Sequence, residues 1–383
     1  MNLSEYFDPI SESFFNVSYA NNAFVKSIQL HQEIFPDLRG IQLALIGLTE
    51  KRGVAKGDSM EAAVFEIREK LYALKKGDGL YKIADLGNLK NGASYKDTIQ
   101  LIKEVGAFLM SQQILPIFFG GSHDLDFGQY LAYEALEKLI SVVTVDAKID
   151  MEDEGAMADC HSQSIILHQP NYLFNYSHLA YQSFLVDKEL TNALEKLNFE
   201  HLRLGLLKGN FKEVEPVIRN ADMLSIDVTA IQSSDAPGAY DAQPFGLSGE
   251  DACQLCRFAG MNEKLSSIGI YGYQPYYDDA RNKTASVIAT MIWYFIDGFY
   301  ERRDSLSFAS SDYIKYTVSL DDNPAFIVFY KSKRSEKWWM EVPFHTENKY
   351  DRNHIIPCSY LDYQTAQKGE IPERWINAQL KLF

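Results

Sequence analysis

A chain of 383 residues with 46% apolar composition is long enough to bury several packed layers, which excludes disorder as its default state. Its 37 basic against 52 acidic residues leave a net charge of -15, which argues against a surface for nucleic acid or anionic lipid; the longest basic run is 331–334. The opening MNLSEYFDPISESFF has no basic segment leading into an apolar one, and no window approaches the roughly 20 apolar residues a membrane helix needs, so no membrane span is expected and the expected location is the cytoplasm.

In chain order, residues 1–38 read as an N-terminal extension. Short apolar runs bounded by turn residues follow at 41–46, 83–86, 114–119, 141–145, 183–186, 202–207, 223–226 and 267–271. Runs such as LPIFF and SVVTV show no polar alternation, as in a parallel sheet covered on both faces. Helical stretches at 59–74, 95–113, 125–139, 248–260 and 284–300 lie between and after them. The alternation predicts a three-layer, doubly wound α/β domain over 39–303 around an eight-stranded, mainly parallel sheet. Beyond it, FASSDYIKYTVSL, AFIVFYKSK and KWWMEVPF alternate aromatic and polar positions, so 304–383 is expected to be a β-rich appendage. Its Trp338, Trp339, Phe344 and Tyr360 read either as a flap packed on the main sheet or as a surface for a protein partner. Four cysteines are too few for a disulfide framework, and Cys253 and Cys256 fall on one face of a helix with no second pair at zinc spacing.

In a doubly wound sheet, ligands sit beyond the carboxyl ends of the strands. Three of those ends carry polar clusters: the third strand runs into GGSHD (120–124), the fourth into DAKID (146–150), and the seventh into SIDVTA (225–230). Residues two apart on a continuing strand share a face, so Asp146 and Asp150, or Asp227 and position 229, can converge on one point with His123. His123 after two glycines also reads as a helix cap, and the three aspartates as a structural carboxylate cluster. Clustered carboxylates without a cation repel, so some cation belongs among them.

GGSHD, DAKID and SIDVTAIQSSDAPG, in that order, resemble the ureohydrolase family of arginase, agmatinase and formimidoylglutamase. IQLALIGLTEKRG with the later Arg68 looks like that family's first strand and first helix, and YGYQPYYDDARNKTASVIATMIWYFIDG like its last strand and final helix. The resemblance spans about residues 40 to 302. It implies an arginase-like fold and a site where two manganese ions act on a guanidinium or formimino carbon. One metal's ligands correspond to His123, Asp146, Asp150 and Asp227, all present. The second also uses positions that here hold Lys148 and Thr229. An ammonium has no lone pair at neutral pH, and a neutral hydroxyl is a poor substitute for an anionic oxygen on a hard cation. At most one manganese ion per chain is therefore expected, with the Lys148 ammonium beside Asp146 and Asp227 in the place of the other.

The family acid that grips the cationic substrate group corresponds to Gly272, in a Gly272-Tyr273-Gln274-Pro275 segment that would line the substrate side with Gly272 and Gln274. A mobile-loop histidine, the family's proton shuttle, matches His168 in LHQP, with His161 nearly as close. On this alignment Asp150, His168 and Lys148 are the candidate catalytic groups. Losses at 148, 229 and 272 all strike the chemistry and spare the fold, so the leading expectation is a pseudoenzyme that binds a protein or small ligand. The alternative is a single-metal hydrolase of a formimino or guanidino C–N bond. The resemblance also allows a homo-oligomer.

Overall fold

The protein is described from a computed structural model, which covers residues 1–53, 60–152, 156–320, 326–344 and 352–382. Two short strands come first, β1 (Phe7–Asp8) and β2 (Gln29–Leu30), followed by β3 (Leu43–Leu48), α1 (Met60–Ala73), β4 (Ile83–Leu89), α2 (Tyr95–Ser111), β5 (Leu115–Gly120), α3 (Asp126–Ala135) and β6 (Ile140–Val145). The middle of the chain supplies α4 (His161–Leu167), β7 (Leu173–Tyr181), α5 (Lys188–Lys196), β8 (Glu200–Arg203), α6 (Leu204–Gly209), α7 (Val214–Arg219) and β9 (Met223–Asp227). Then come α8 (Gly249–Gly260), β10 (Ser267–Tyr271) and α9 (Lys283–Tyr300). The expected start of the first helix at residue 59 lies outside the described residues.

The ten strands form one sheet in the order β1-β4-β3-β5-β10-β9-β6-β7-β8, with β2 also on β4. Every pairing is parallel except β1 with β4. Alternate side chains feed opposite cores, which explains the unbroken apolar runs. On β3, Leu43 and Leu45 join a core with α1, α8 and α9, whereas Ala44 and Ile46 join one with α2, α3 and α4. Helix α2 is started by a capping box, with Ser94 and Asp97 each accepting the other's backbone N–H (3.2 and 2.8 Å). Arg68 of α1 is buried and reaches Asp85 of β4 through Nε and Nη2 (2.9 and 3.0 Å), tying the first helix to the sheet.

Three expectations need correction. The strand expected at 183–186 is a turn; the strand is β7, ten residues earlier. Its buried Asn175, Ser177 and His178 interrupt the apolar run that marks the other strands. The run at 202–207 divides between the end of β8 and α6. The N-terminal segment is not separate from the sheet, because β1 and β2 both pair with β4 and raise the strand number from the eight expected to ten. Cys253 and Cys256 are free thiols buried on α8, and burial pushes the Cys253 thiol up to about 11.

The final segment forms an antiparallel sheet, β11 (Tyr313–Ser319), β12 (Phe326–Ser332), β13 (Trp338–Phe344) and β14 (Arg352–Cys358), followed by α10 (Tyr360–Gln367) and α11 (Glu373–Leu382). Trp338 faces α10 and α11, and the next residue, Trp339, is buried on the opposite side. Arg219 at the end of α7 donates to the Trp338 and Cys358 carbonyls (2.9 and 3.1 Å) and lies over the Trp339 ring, 4.3 Å from its centroid. These two tryptophans are packing residues, whereas Tyr360 is exposed and the Phe344 side chain lies outside the described residues.

Just past β3, the buried Glu50 carboxylate accepts from Arg52 Nε (2.9 Å), from the Lys51 and Arg52 backbone N–H groups (2.9 and 2.8 Å) and from Thr98 Oγ1 (2.8 Å). Burial alone would raise this carboxyl, but the Arg52 bonds and the Thr98 hydroxyl outweigh it and hold it down to about 2. A carboxyl whose folded value lies below its unfolded one near 4.5 contributes stability above pH 4.5, and loses it as pH falls through 2. Because Arg52 is partly exposed, we expect Glu50→Gln to cost only about 1–2 kcal/mol at pH 7. Urea titrations of both proteins should show that difference vanishing between pH 5 and pH 2; a gap that persists at pH 2 would refute this account.

Candidate metal centre

The strands that feed the site are neighbours, since β5, β10, β9 and β6 lie side by side at the sheet's centre. All four are parallel, so their carboxyl ends open at one edge, and strands roughly 4.8 Å apart bring their terminal residues within reach of one another. At the end of β5, Gly120 has φ +87°, and a Cβ there would stand 2.7 Å from the Leu48 carbonyl oxygen. The turn it permits drops His123 into the interior.

His123 Nδ1 lies 2.8 Å from Asp146 Oδ2 and 3.5 Å from Asp227 Oδ2. Its Nε2 lies 2.8 Å from Ser225 Oγ, which donates to Asp126 Oδ2 at 2.9 Å. Asp126 Oδ1 in turn meets His161 Nδ1 at 2.9 Å, and His161 Nε2 meets Asp150 Oδ2 at 3.1 Å. The result is a continuous chain of hydrogen bonds from Asp146 through both histidines to Asp150. The two imidazole centroids are 4.1 Å apart. One donor atom each from His123, Asp146, Asp150 and His161 falls within 4.8 Å of all the others. A cavity of about 290 Å³ opens over the group, with Lys148, Asp241 and Gln274 on its wall.

The electrostatics are those of crowded acids. Burial raises Asp150 and Asp227, and the neighbouring Asp146 charge raises both further. Burial also works against the Asp146 charge, but the His123 bond outweighs it and holds Asp146 well below the usual carboxylate range. In His161, burial disfavours the imidazolium, but Asp126 and Asp150 prevail and hold its pKa well above the ordinary value. Carboxylates and imidazoles converging in this way suit a divalent ion of the manganese type, which takes oxygen and imidazole donors.

The structure brings His123, Asp146, Asp150 and Asp227 together, as their place at the strand ends predicted. Lys148 behaves otherwise. Its ammonium does not lie between Asp146 and Asp227 but pairs with Asp241 at the mouth of the cavity, where both side chains are about a third exposed. There the pair keeps much of its hydration, which a place among the buried aspartates would remove. Thr229 takes the inner position, its Oγ1 donating to Asp146 Oδ1 at 3.0 Å and its backbone N–H to Asp227 Oδ1 at 2.7 Å.

His168 is also corrected. It ends α4, bonds Glu134 at 2.5 Å and stands edge-on to Phe127 and Tyr130, outside the cavity. The histidine that reaches the site is His161 at the other end of α4, about 10 Å away by helical rise. Gly272 and Gln274 do line the cavity. Gly272 has φ +84°, and a Cβ there would meet Asp227 Oδ2 at 2.5 Å. The Gln274 side-chain oxygen is buried and has no hydrogen-bond partner among the described residues. Sequence reasoning passed over Asp126, Ser225 and Asp241. Ser225 stood open to it, because it lies two residues before Asp227 on the same strand face.

The sequence profile of the arginase family matches residues 41–297, two thirds of the chain. The chain belongs to the arginase family. Among its arginase-family relatives, a formimidoylglutamase of Geobacillus sp. (strain WCH70) is 24% identical over 308 residues, covering 73% of this chain and 92% of that protein. A formimidoylglutamase of Geobacillus thermodenitrificans is 25% identical over 291 residues, covering 69% and 88%. The fold is shared with Bacillus subtilis formimidoylglutamase (TM-score 0.65, 17% identity, 76% of this chain and 99% of that one). It is shared also with Trypanosoma cruzi formiminoglutamase with Mn2+2 (TM-score 0.63, 16% identity, 70% and 100%). The arginase-family match ends before β11, so the four-stranded sheet lies beyond it. No helix among the described residues is long and apolar enough to cross a membrane.

Proposed function

We propose that this arginase-family protein holds one manganese-type ion and hydrolyses a linear C–N bond of the formimino or guanidino type. The observation that carries the reading is the convergence of His123, Asp146, Asp150 and His161 beneath an open cavity, with Lys148 turned away to Asp241. A Lys148 ammonium seated among the aspartates would have competed with any cation there, and that objection is removed. The formimino class is carried over from the relatives' names.

When bound, the ion would supply Lewis acidity toward the C–N carbon and toward water. The chain's own residues do the rest. Asp227, on the cavity wall with its Oδ2 facing His123, is placed to pass a proton toward the leaving nitrogen. Gln274 can orient a polar substrate group. The Lys148 and Asp241 pair at the mouth offers both signs of charge to a substrate's tail.

A second reading, that the chain is a pseudoenzyme serving as a binding scaffold, is favoured by Gly272, where no acid can grip a cationic carbon centre. Loading the full chain with manganese, counting bound metal by elemental analysis and assaying a panel of formimino and guanidino compounds for formamide and urea release separates the two. We expect one ion per chain and slow turnover that disappears in His123→Ala. A metal-loaded protein inert on the whole panel would leave the scaffold reading.

A further inference from the structure

We infer that His161 is itself a ligand of the ion, and that Asp126 is the residue that sets both His161 and His123 in their ligating tautomers. The inference rests on the single-ion reading above.

The hydrogen-bond roles follow from counting protons. Asp126 is fully buried and, as a carboxylate, can only accept. His161 Nδ1, 2.9 Å from Asp126 Oδ1, must therefore carry a proton; the Nε2 proton, which without metal meets Asp150, is the one an ion would displace, leaving the lone pair of a neutral ring there. The Ser225 hydroxyl spends its one proton on Asp126 Oδ2 at 2.9 Å, so toward His123 Nε2, 2.8 Å away, it must accept. His123 thus carries a proton on Nε2, and its Nδ1, which donates to Asp146 without metal, is the nitrogen left to an ion that displaces that second proton. One buried carboxylate fixes both rings, directly in one case and through a hydroxyl in the other, and leaves for an ion the two nitrogens that face the acids of the cavity floor. A ligating histidine whose other nitrogen is held by a carboxylate is the usual outer arrangement of a protein metal site.

Distance and charge agree. Donors on one ion at about 2.0–2.3 Å lie at most about 4–4.6 Å apart. The four donors here lie within 4.8 Å of one another, close to the widest spacing that one ion spans. Two aspartates and two neutral imidazoles balance a divalent charge, whereas three aspartates and one imidazole overshoot it. His161 thereby supplies from α4 the second imidazole nitrogen that position 148 no longer offers.

Pulsed electron paramagnetic resonance on the manganese-loaded full chain counts the imidazole nitrogens bound to the ion. We expect two in the wild type, one in His161→Ala and one in His123→Ala. Manganese affinity should fall about 10–100-fold in Asp126→Asn, because losing an outer partner typically costs that much. His161→Gln, read with circular dichroism, separates loss of a ligand from loss of fold. A single bound nitrogen in the wild type, unchanged in His161→Ala, would overturn the inference and leave the single-ion reading standing. A wild type that binds no manganese would overturn both.

Discussion

Replacing Lys148 by His and Thr229 by Asp together is expected to raise the manganese held by each chain from one ion to two. Both positions already have the right backbone. The Thr229 N–H is fixed on Asp227 Oδ1, and its side-chain oxygen already stands 3.0 Å from Asp146 Oδ1, so an aspartate there delivers a carboxylate to the same point. Position 148 follows Asp146 by two residues, and its own N–H bonds Asp146 Oδ1 at 3.1 Å. Removing the lysine leaves only Asp241 without its partner, and Asp241 is a third exposed, so hydration replaces the lost pair at little cost. Since loss of a mere outer-shell partner costs about 10–100-fold in affinity, restoring two inner ligands should strengthen the second ion by more than about 100-fold. Without metal the added carboxylate crowds Asp146 and Asp227, so the double variant should melt lower than wild type when stripped and gain more on loading. Calorimetric titration with manganese and melting of both forms check this. A folded double variant that still takes up a single ion would mean that more than these two side chains was lost.

Much of this site was legible because a parallel sheet gathers its functional residues at one edge. GGSHD, DAKID and SIDVTA each follow an apolar run, and β5, β6 and β9 deliver them to adjacent places. That the aspartates crowd one another was likewise readable from charge alone; where Lys148 would turn was not. A spacing of two residues says which side chains share a face, but Lys148 found its partner 93 residues away at Asp241, in a loop with no periodicity to read. His161 and Asp126 meet across 35 residues, one from α4 and one from α3, and only the packing of those helices brings them together. The fold failed to show in the same way at its margins. Strands β1 and β2 have two residues each, too few for any alternation, and β7 hides its burial behind Asn175, Ser177 and His178.

Restoring the family acid by Gly272→Glu is expected to damage the centre without creating a grip for a cationic substrate. The backbone at 272 is left-handed, φ +84°, and its N–H donates to the Gly121 carbonyl at 2.9 Å, so the conformation is tied to the turn that places His123. A side chain in that conformation costs about 1 kcal/mol relative to glycine. Its Cβ would lie 2.5 Å from Asp227 Oδ2 and 3.0 Å from Oδ1, and Asp227 is buried and anchored on Thr229. Either the carboxylate moves or the turn does, and with the added charge the loss should reach about 2–4 kcal/mol. Gly272→Ala isolates the steric share, because it brings the Cβ without the charge, and should account for more than half the fall in urea midpoint. Both variants should also weaken manganese binding, since Asp227 faces the His123 nitrogen at 3.5 Å. If Gly272→Ala is neutral and Gly272→Glu binds guanidinium compounds, the loss at 272 is one of side chain alone. If both fall as expected, the missing acid is written into the backbone, and a single substitution there cannot restore it.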